Sequence, residues 1–351
     1  MGDDVRSELQ VTSHAQAEAW GTGRVAAAEK IDEGWWALAL PIAEGTLASS
    51  FGYALMGADG VHVIDPGWAS DETFDYWRTF LAEHGRRVQD IETILVTHSH
   101  PDHLGLAGRL REASGATVMM TAAESAVLND VAVGMGGSDE WMRVELLRWG
   151  VPDHLHSAML GELHAAHFST PLAPDRVIAD GEEILLADRT LRAHVTPGHT
   201  DGHLCLEDPG AGLLFSGDHV LPRIYSGIGL GQLPGSEPLG AYLRSLSRIS
   251  ELDQCEVLPG HEFRFRGLRL RCAQIAAHHL RRTAAVQEVD RRMSGASVWD
   301  VTGHLLWTRG WDNLRGFERQ SALRQTELHL AAVRSGDAET WLTGGVISHA
   351  G

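Results

Sequence analysis

His98-Ser99-His100-Pro101-Asp102-His103 sets three imidazoles and one carboxylate on a single short loop, just past the apolar run Ile91-Glu92-Thr93-Ile94-Leu95-Val96. Neutral imidazole nitrogen and carboxylate oxygen are good ligands for zinc and similar divalent metals. Four such groups crowded together without a cation would repel one another or stay half-satisfied. A metal site is the economical reading. A His-rich surface loop is the bland alternative in a chain that carries 20 histidines.

The rest of the chain has an ordinary globular composition. Its 351 residues, 43% of them hydrophobic, suffice for one large domain and a small one. A formal net charge of −18 works against long-range attraction to nucleic acid or an anionic membrane. Lys30 is the only lysine, so arginine carries nearly all the positive charge. Cys205, Cys255 and Cys272 are odd in number and lack CxxC spacing, which argues against a disulfide framework and favours a reducing cytoplasm. Met1-Gly2-Asp3-Asp4-Val5 has no basic-then-apolar leader pattern, and no window approaches the ~20 apolar residues of a membrane span. A membrane partner is therefore not expected.

From about Trp35 to Glu262 short β-rich runs alternate with Gly/Pro turns and helical patterns. Strands are expected at 53–56, 61–64, 91–96, 117–120, 191–195, 203–206, 213–215 and 255–258, each closed by Gly, Pro, Asp or His. Helices are expected at 71–84, 105–113 and 239–250. The pattern implies an α/β fold of sheets covered by helices. Residues 121–174 break the strand rhythm with helical patches at 140–148 and 152–166. Placed between two ligand-rich loops, this insertion reads either as a lid offering Trp141, Met142, Trp149 and Met159 to a substrate or as plain helix packing. After Arg264 come an Arg-rich helical run to Arg292, helical stretches at 298–308 and 317–335, and a hairpin-like end at 340–348.

Four more clusters repeat the grammar of a β-run followed by a ligand-rich loop: Asp65-Pro66-Gly67, His199-Thr200-Asp201-Gly202-His203, Gly217-Asp218-His219 and Gly260-His261-Glu262. Residues at strand ends converge readily at one sheet edge. In content and order these motifs resemble the metallo-β-lactamase superfamily over roughly Trp35 to Glu262, and within it the glyoxalase II, lactonase and thioesterase branch. The resemblance implies an αββα sandwich spanning 31–263, preceded by an N-terminal extension at 1–30. It further implies a small, mostly helical, winged-helix-like domain at 264–351.

By the same resemblance His98, His100 and His199 bind one metal, Asp102, His103 and His261 bind a second, and Asp218 bridges the two. Asp65 orients the ligand loop from behind. The cofactors are two divalent ions, zinc foremost, with iron or manganese also suited to His/Asp donors. The implied activity is hydrolysis of a thioester, ester or lactone by a metal-bound hydroxide, with Asp102 and Asp218 as the catalytic carboxylates. Asp218 sets the chain apart from lactam-cleaving members, which lack a bridging carboxylate there, and His100 sets it apart from the Glu-containing flavodiiron branch.

His203 reads as a supporting or substrate-facing residue. Arg223 and Tyr225, just past Asp218, could meet an oxyanion or a substrate carboxylate, and Trp141 could line the pocket. His278-His279 has no partners at ligand spacing and reads as structural or surface. The expected partner is a small-molecule acyl substrate, with a homodimer also open. Two rivals stand beside the acyl hydrolase. One is a phosphodiesterase or ribonuclease using the same metals. The other is a metal-binding regulator whose Arg-rich C-terminal domain binds DNA, although the acidic chain and the lack of an aromatic pattern for base stacking make nucleic acid the weaker partner.

Overall fold

The computed structural model describes residues 9–43, 47–132, 139–163, 172–231, 233 and 235–344. Two mixed seven-stranded sheets stack face to face. One runs in chain order through β2 (Glu29–Lys30), β3 (Trp35–Pro41), β4 (Ser49–Met56), β5 (Val61–Ile64), β6 (Ile91–Leu95), β7 (Thr117–Thr121) and β8 (Arg176–Ile178). The other runs β1 (Gln10–Val11), β14 (Phe265–Arg266), β13 (Glu256–Pro259), β12 (Leu213–Gly217), β11 (Leu204–Asp208), β10 (Arg189–Val195) and β9 (Glu183–Leu186). Parallel pairing joins β5 through β8 and joins β12 to β13, while the remaining pairs are antiparallel.

Between the sheets lies an apolar layer that includes Trp35, Phe51, Tyr53, Leu191, Leu206, Phe215 and Leu258. After the short α1 (His14–Gly21), helices α2 (Asp71–Glu83) and α4 (Ala107–Ser114), with the single turn α3 (Pro101–Leu104) between them in the chain, cover the outer face of the first sheet. In α2 the side chain of Ser70 accepts from Thr73 N at 3.0 Å, and Asp71 and Glu72 stand at the positive end of the helix dipole. Its buried face, Thr73, Trp77, Phe80 and Leu81, follows the helical repeat and packs on Leu38, Val63 and Ile94. Helices α8 (Pro238–Ile249) and α9 (Leu268–Arg292) cover the second sheet, where Tyr242, Leu246, Cys272 and Ile275 meet Leu214 and Val257. The result is the expected αββα sandwich.

Hydrogen bonds lace the sheets together at one edge. Phe51 N donates to Gly260 O at 2.7 Å, Leu204 N to Thr97 O at 2.9 Å, and the Tyr53 hydroxyl to Pro259 O at 2.6 Å. The loops after β5, β6, β12 and β13 open at this edge. All eight expected strands are present, most of them longer than expected. Strand β3 was not expected. Its sequence, Trp35-Trp36-Ala37-Leu38-Ala39-Leu40-Pro41, is buried almost throughout and shows no two-residue alternation because both of its faces are covered.

The insertion forms α5 (Ala122–Ala132), α6 (Asp139–Trp149) and α7 (Asp153–Leu163), and the expected helical residues 164–166 lie outside the described ones. The chain ends in α10 (Val298–Gly303), α11 (Gly316–Ser335) and α12 (Asp337–Gly344). The hairpin expected at 340–348 is corrected as far as Gly344, which belongs to a helix, while 345–348 lie outside the described residues. Gly336, at φ 88°, ends α11, and the acidic Asp337 and Glu339 then favour a new helix start. Every regular element described from 268 onward is helical. Among the described residues no helix is long and apolar enough to cross a membrane.

The C-terminal helices share their cores with the rest of the chain. Leu328 and Ala332 of α11 join the cluster over the second sheet. Leu323 of α11 joins Met142, Leu146, Trp149, Met159 and Leu160 of the insertion. Leu323→Ala is expected to cost about 2–5 kcal/mol and to raise hydrogen exchange in α6 and α7 before the sheets, as read by mass spectrometry. Uniform loosening of sheets and insertion together would contradict that local coupling.

Candidate metal centre

The ligand loop begins where β6 ends. Asp65, at the end of β5, accepts from Thr97 N at 2.8 Å, from the Thr97 hydroxyl at 2.7 Å and from His103 Nδ1 at 2.9 Å. With its own proton given to Asp65, Thr97 Oγ1 accepts from His98 Nδ1 at 3.0 Å, which leaves His98 Nε2 with a bare lone pair. The same logic fixes the other rings. His100 Nε2 donates to Leu230 O at 3.0 Å, His199 Nδ1 to Gly227 O at 2.7 Å, and His261 Nδ1 to Ser49 O at 2.9 Å. Five imidazoles thus each commit one N–H outward and turn one lone pair inward.

The inward atoms form two groups, His98, His100, His199 and Asp218, and Asp102, His103 and His261, with the donor atoms of each group within 4.8 Å of one another. His100 Nδ1 lies 3.0 Å from His98 Nε2 and 3.1 Å from His199 Nε2. Lone pairs so close need a cation or a proton between them. Protons are disfavoured in this group, because burial and then the neighbouring imidazoles hold His98 well below its usual range, while burial and then His100 bring His199 down to about 4. The donor set therefore fits a divalent metal.

The second group is more acidic in surroundings. His103 Nε2 lies 3.4 Å from His261 Nε2, and Asp102 Oδ2 lies 3.2 Å from His261 Nε2. Burial alone would lower His103, but Asp102 and Asp218 outweigh it and raise the ring to about 9. Asp218 and Asp102 likewise overcome burial and raise His261. Burial would push the Asp218 carboxyl up, but His261 and His103 outweigh it and leave it well below the carboxylate range. Asp218 Oδ1 is buried and has no hydrogen-bond donor among the described residues. A Cβ on Gly260 would fall 2.3 Å from that oxygen, so only glycine leaves the space open.

All seven expected ligands thus come together, with Asp65 behind them. His203 stands behind Asp218, for its Nε2 accepts from Asp218 N at 3.2 Å and its Nδ1 pairs with the Thr196 hydroxyl at 2.9 Å. The Tyr225 ring stacks on His278 at 3.8 Å, and the Arg223 guanidinium lies over Phe263 at 5.3 Å. Trp141 packs half-buried in the cluster that joins the insertion to the C-terminal helices. His279 is buried beside Tyr242 and His329.

The αββα sandwich and its edge-on His/Asp centre define a metal-binding fold of recognisable type. The chain belongs to the metallo-beta-lactamase superfamily, whose family signature matches residues 46–261. An acyl-coenzyme A thioesterase of Gallus gallus, MBLAC2, is 30% identical over 71% of this chain and 84% of its own length. A hydroxyacylglutathione hydrolase of Rhizobium etli is 36% identical over 25% of this chain and 33% of its own. Among solved structures, a metallo-beta-lactamase family protein of Thermus thermophilus superposes with a TM-score of 0.70 at 28% identity, covering 87% of this chain and 94% of the other. A beta-lactamase domain protein of Burkholderia ambifaria also reaches 0.70, at 26% identity and with 96% and 93% covered.

Glu124 is a part of the centre that sequence reasoning missed. Its side chain is fully buried and accepts from Ser99 N at 2.8 Å, from Gly202 N at 2.9 Å and from the Thr200 hydroxyl, so it joins the loop of His98 and His100 to the loop of His199. The only signal in the sequence was Thr121-Ala122-Ala123-Glu124, which reads as a helix-capping box. Half of that box is real, since Glu124 N donates to Thr121 Oγ1 at 3.3 Å, but the carboxylate turns away to the ligand loops. In Glu124→Gln the amide NH2 must oppose either Ser99 N–H or Gly202 N–H. The variant is expected to bind metal about 10–100-fold more weakly in a chelator competition titration, and wild-type affinity would rule this role out.

Proposed function

We propose that the chain is a dinuclear metal-dependent hydrolase that cleaves an acyl thioester, with zinc the leading metal and iron or manganese alternatives. The observation that carries this reading is the placement of Asp218 between the two donor groups. Its Oδ2 lies 3.7 Å from His199 Nε2 and 3.4 Å from His261 Nε2, and its Oδ1 lies 3.5 Å from His103 Nε2. In this reading His98, His100 and His199 hold one cation, Asp102, His103 and His261 hold the other, and Asp218 touches both. Two divalent cations held there would lower the pKa of a bound water toward neutrality and polarise an acyl oxygen.

The chain's own contribution is to keep the donors from turning. Each ligand imidazole is locked in one tautomer by the acceptor behind it, so the lone pairs stay aimed inward. With those protons committed, the rings have no acid to spare for a leaving group. That suits a group that departs as an anion, which a thiol of pKa about 8.5 does far more readily than an alcohol. Asp102 keeps 18% of its side chain exposed and is the carboxylate placed to accept a proton late in the reaction. The relatives named for acyl-coenzyme A and hydroxyacylglutathione support the acyl reading. Three buried free cysteines support a reducing, cytoplasmic setting.

Protein loaded with zinc or manganese is expected to hydrolyse members of a thioester, ester and lactone panel, thioesters fastest. Chelation should abolish turnover and added metal restore it, and His199→Ala and Asp102→Ala should fall to background. Cleavage of single-stranded RNA without any acyl turnover would sink the proposal.

A further inference from the structure

Arginines in this chain are mostly matched to carboxylates, as in Arg109 with Asp71, Arg248 with Asp180, Arg264 with Glu29 and Arg334 with Asp290. Several others have no ion-pair partner among the described residues, and one set of these lies together. Among the described residues Arg223, Arg271, Arg281 and Arg282 have no ion-pair partner; the last three lie about the Tyr225–His278 stack, and Arg223 stands two residues from Tyr225 on the same loop. The Arg271 guanidinium lies 4.7 Å from the centre of the Tyr225 ring and donates to Leu221 O at 2.6 Å and Ile224 O at 2.7 Å. Burial holds His278 down to about 4, and Arg282, Arg281 and Arg271 push it the same way, so all three guanidiniums stand within electrostatic reach of that ring. Arg282 lies over Trp307 at 4.2 Å, with one N–H given to Leu306 O.

This patch adjoins the metal centre. The loop that carries Arg223 and Tyr225 is pinned by Glu262, whose Oε2 accepts from Arg223 N and Ile224 N, each at 2.9 Å. Glu262 directly follows the ligand His261, and the Ser226 hydroxyl donates to Asp218 O at 2.5 Å. Glu262 is the carboxylate within electrostatic reach of Arg271, yet it engages backbone N–H groups rather than a guanidinium. Tyr225, at 39% exposure, and the exposed Arg223 and Arg281 face solvent. Four guanidiniums without an ion pair, with Glu262 acting on Arg271 only from a distance, favour a locally positive field at the rim of the centre in a chain of net charge −18. Guanidinium groups match phosphate oxygens in geometry and charge.

We propose that Arg223, Arg281 and Arg282, backed by Arg271, bind the phosphate groups of the thiol carrier from which the acyl group is cleaved, so that the substrate is a thioester of a phosphorylated, nucleotide-type thiol. The inference rests on the thioester reading of the centre. The acyl carbon lies at the metal centre, and the carrier runs out along the loop from Leu221 to Ser226 to the arginines.

The test presents one acyl group on two thiols, coenzyme A and the short, uncharged N-acetylcysteamine, to the metal-loaded full chain. Arg281→Ala and the double variant Arg223→Ala/Arg281→Ala are expected to raise KM for the coenzyme A thioester about tenfold relative to KM for the short one. Added salt should raise the wild-type KM for the coenzyme A thioester alone. Equal changes on both substrates, or no change on either, overturn the proposal. Calorimetry with adenosine 3′,5′-bisphosphate, with inorganic phosphate as the comparison, reads the patch without turnover. Binding weakened about tenfold by Arg281→Ala supports it, and a wild type that binds neither compound overturns it. Bisphosphate binding with no turnover of either thioester defeats the thioester reading and leaves the phosphate site standing. Tighter binding of a single-stranded RNA oligonucleotide than of the bisphosphate, lost in the same variant, reassigns the patch to nucleic acid and overturns the proposal.

Discussion

A single buried carboxylate, Asp65, holds both halves of the donor set in register. Through Thr97 it fixes the tautomer of His98 in one group, and directly it fixes that of His103 in the other. Three hydrogen bonds to one side chain satisfy both of its oxygens at 2% exposure. The backbone there is strained, since Asp65 adopts φ 54°, a left-handed conformation that costs a non-glycine residue on the order of 1–3 kcal/mol. Glu262, next to His261, is held at φ 74° by two backbone N–H groups. Of the three non-glycine residues at positive φ among the described ones, two therefore border the centre, where the surrounding hydrogen bonds over-determine them.

The centre also belongs to the seam between the sheets. His98, His100, Asp102 and His103 follow β6 of the first sheet, whereas His199, Asp218 and His261 come from loops of the second. The spacing of the donors therefore depends on how the sheets sit on each other. The bonds that set this spacing lie within a residue or two of the ligands: Leu204 N to Thr97 O, Phe51 N to Gly260 O, and His261 Nδ1 to Ser49 O, while the Ser50 hydroxyl ties Asp102 O to the first sheet at 2.6 Å. Packing of Trp35, Tyr53 and Phe215 between the sheets, with Trp35 and Phe215 ring centres 4.6 Å apart, fixes the same distance from the core side. Cores resist small displacements because they are close-packed, so the inter-sheet layer acts as part of the site.

The residues that carry the chemistry were legible because metal binding needs particular side chains at the ends of strands, and those ends are marked by local patterning. Strands β5, β6 and β12 read correctly for that reason, and the candidate ligands that follow them come together in the fold. What was not legible is long-range. Glu124 looks like a capping residue until the fold brings Ser99 and Gly202 to it, and no local spacing encodes a contact across 78 residues. Ser49 acts through its carbonyl, which carries no side-chain signature at all. Strand β3 lacked the alternation that a half-exposed strand shows. The C-terminal end misled for a related reason: Gly344-Gly345 suggests a turn, but the acidic residues after Gly336 and the burial of Ala338 favour a helix.

The five buried or half-buried carboxylates around the centre divide into two kinds. Asp65 and Glu124 each accept three hydrogen bonds, and Glu262 accepts two, all from N–H or O–H groups of the chain. Asp65 and Glu124 have both oxygens engaged in this way, while Glu262 keeps Oε1 buried without a donor among the described residues, and all three act as fixed points for the ligand loops. Asp102 and Asp218 face imidazoles instead, and Asp218 Oδ1 has no donor at all among the described residues. A buried carboxylate without donors is costly unless positive charge sits beside it, and Asp102 and Asp218 accordingly favour the charged form of His103 and His261 beside them. Divalent cations would supply that charge while also accepting the lone pairs of His98 and His199, whose buried rings take protons poorly. The separation of carboxylates held by N–H and O–H groups behind from carboxylates that face imidazoles in front is what distinguishes this cluster from an ordinary polar core.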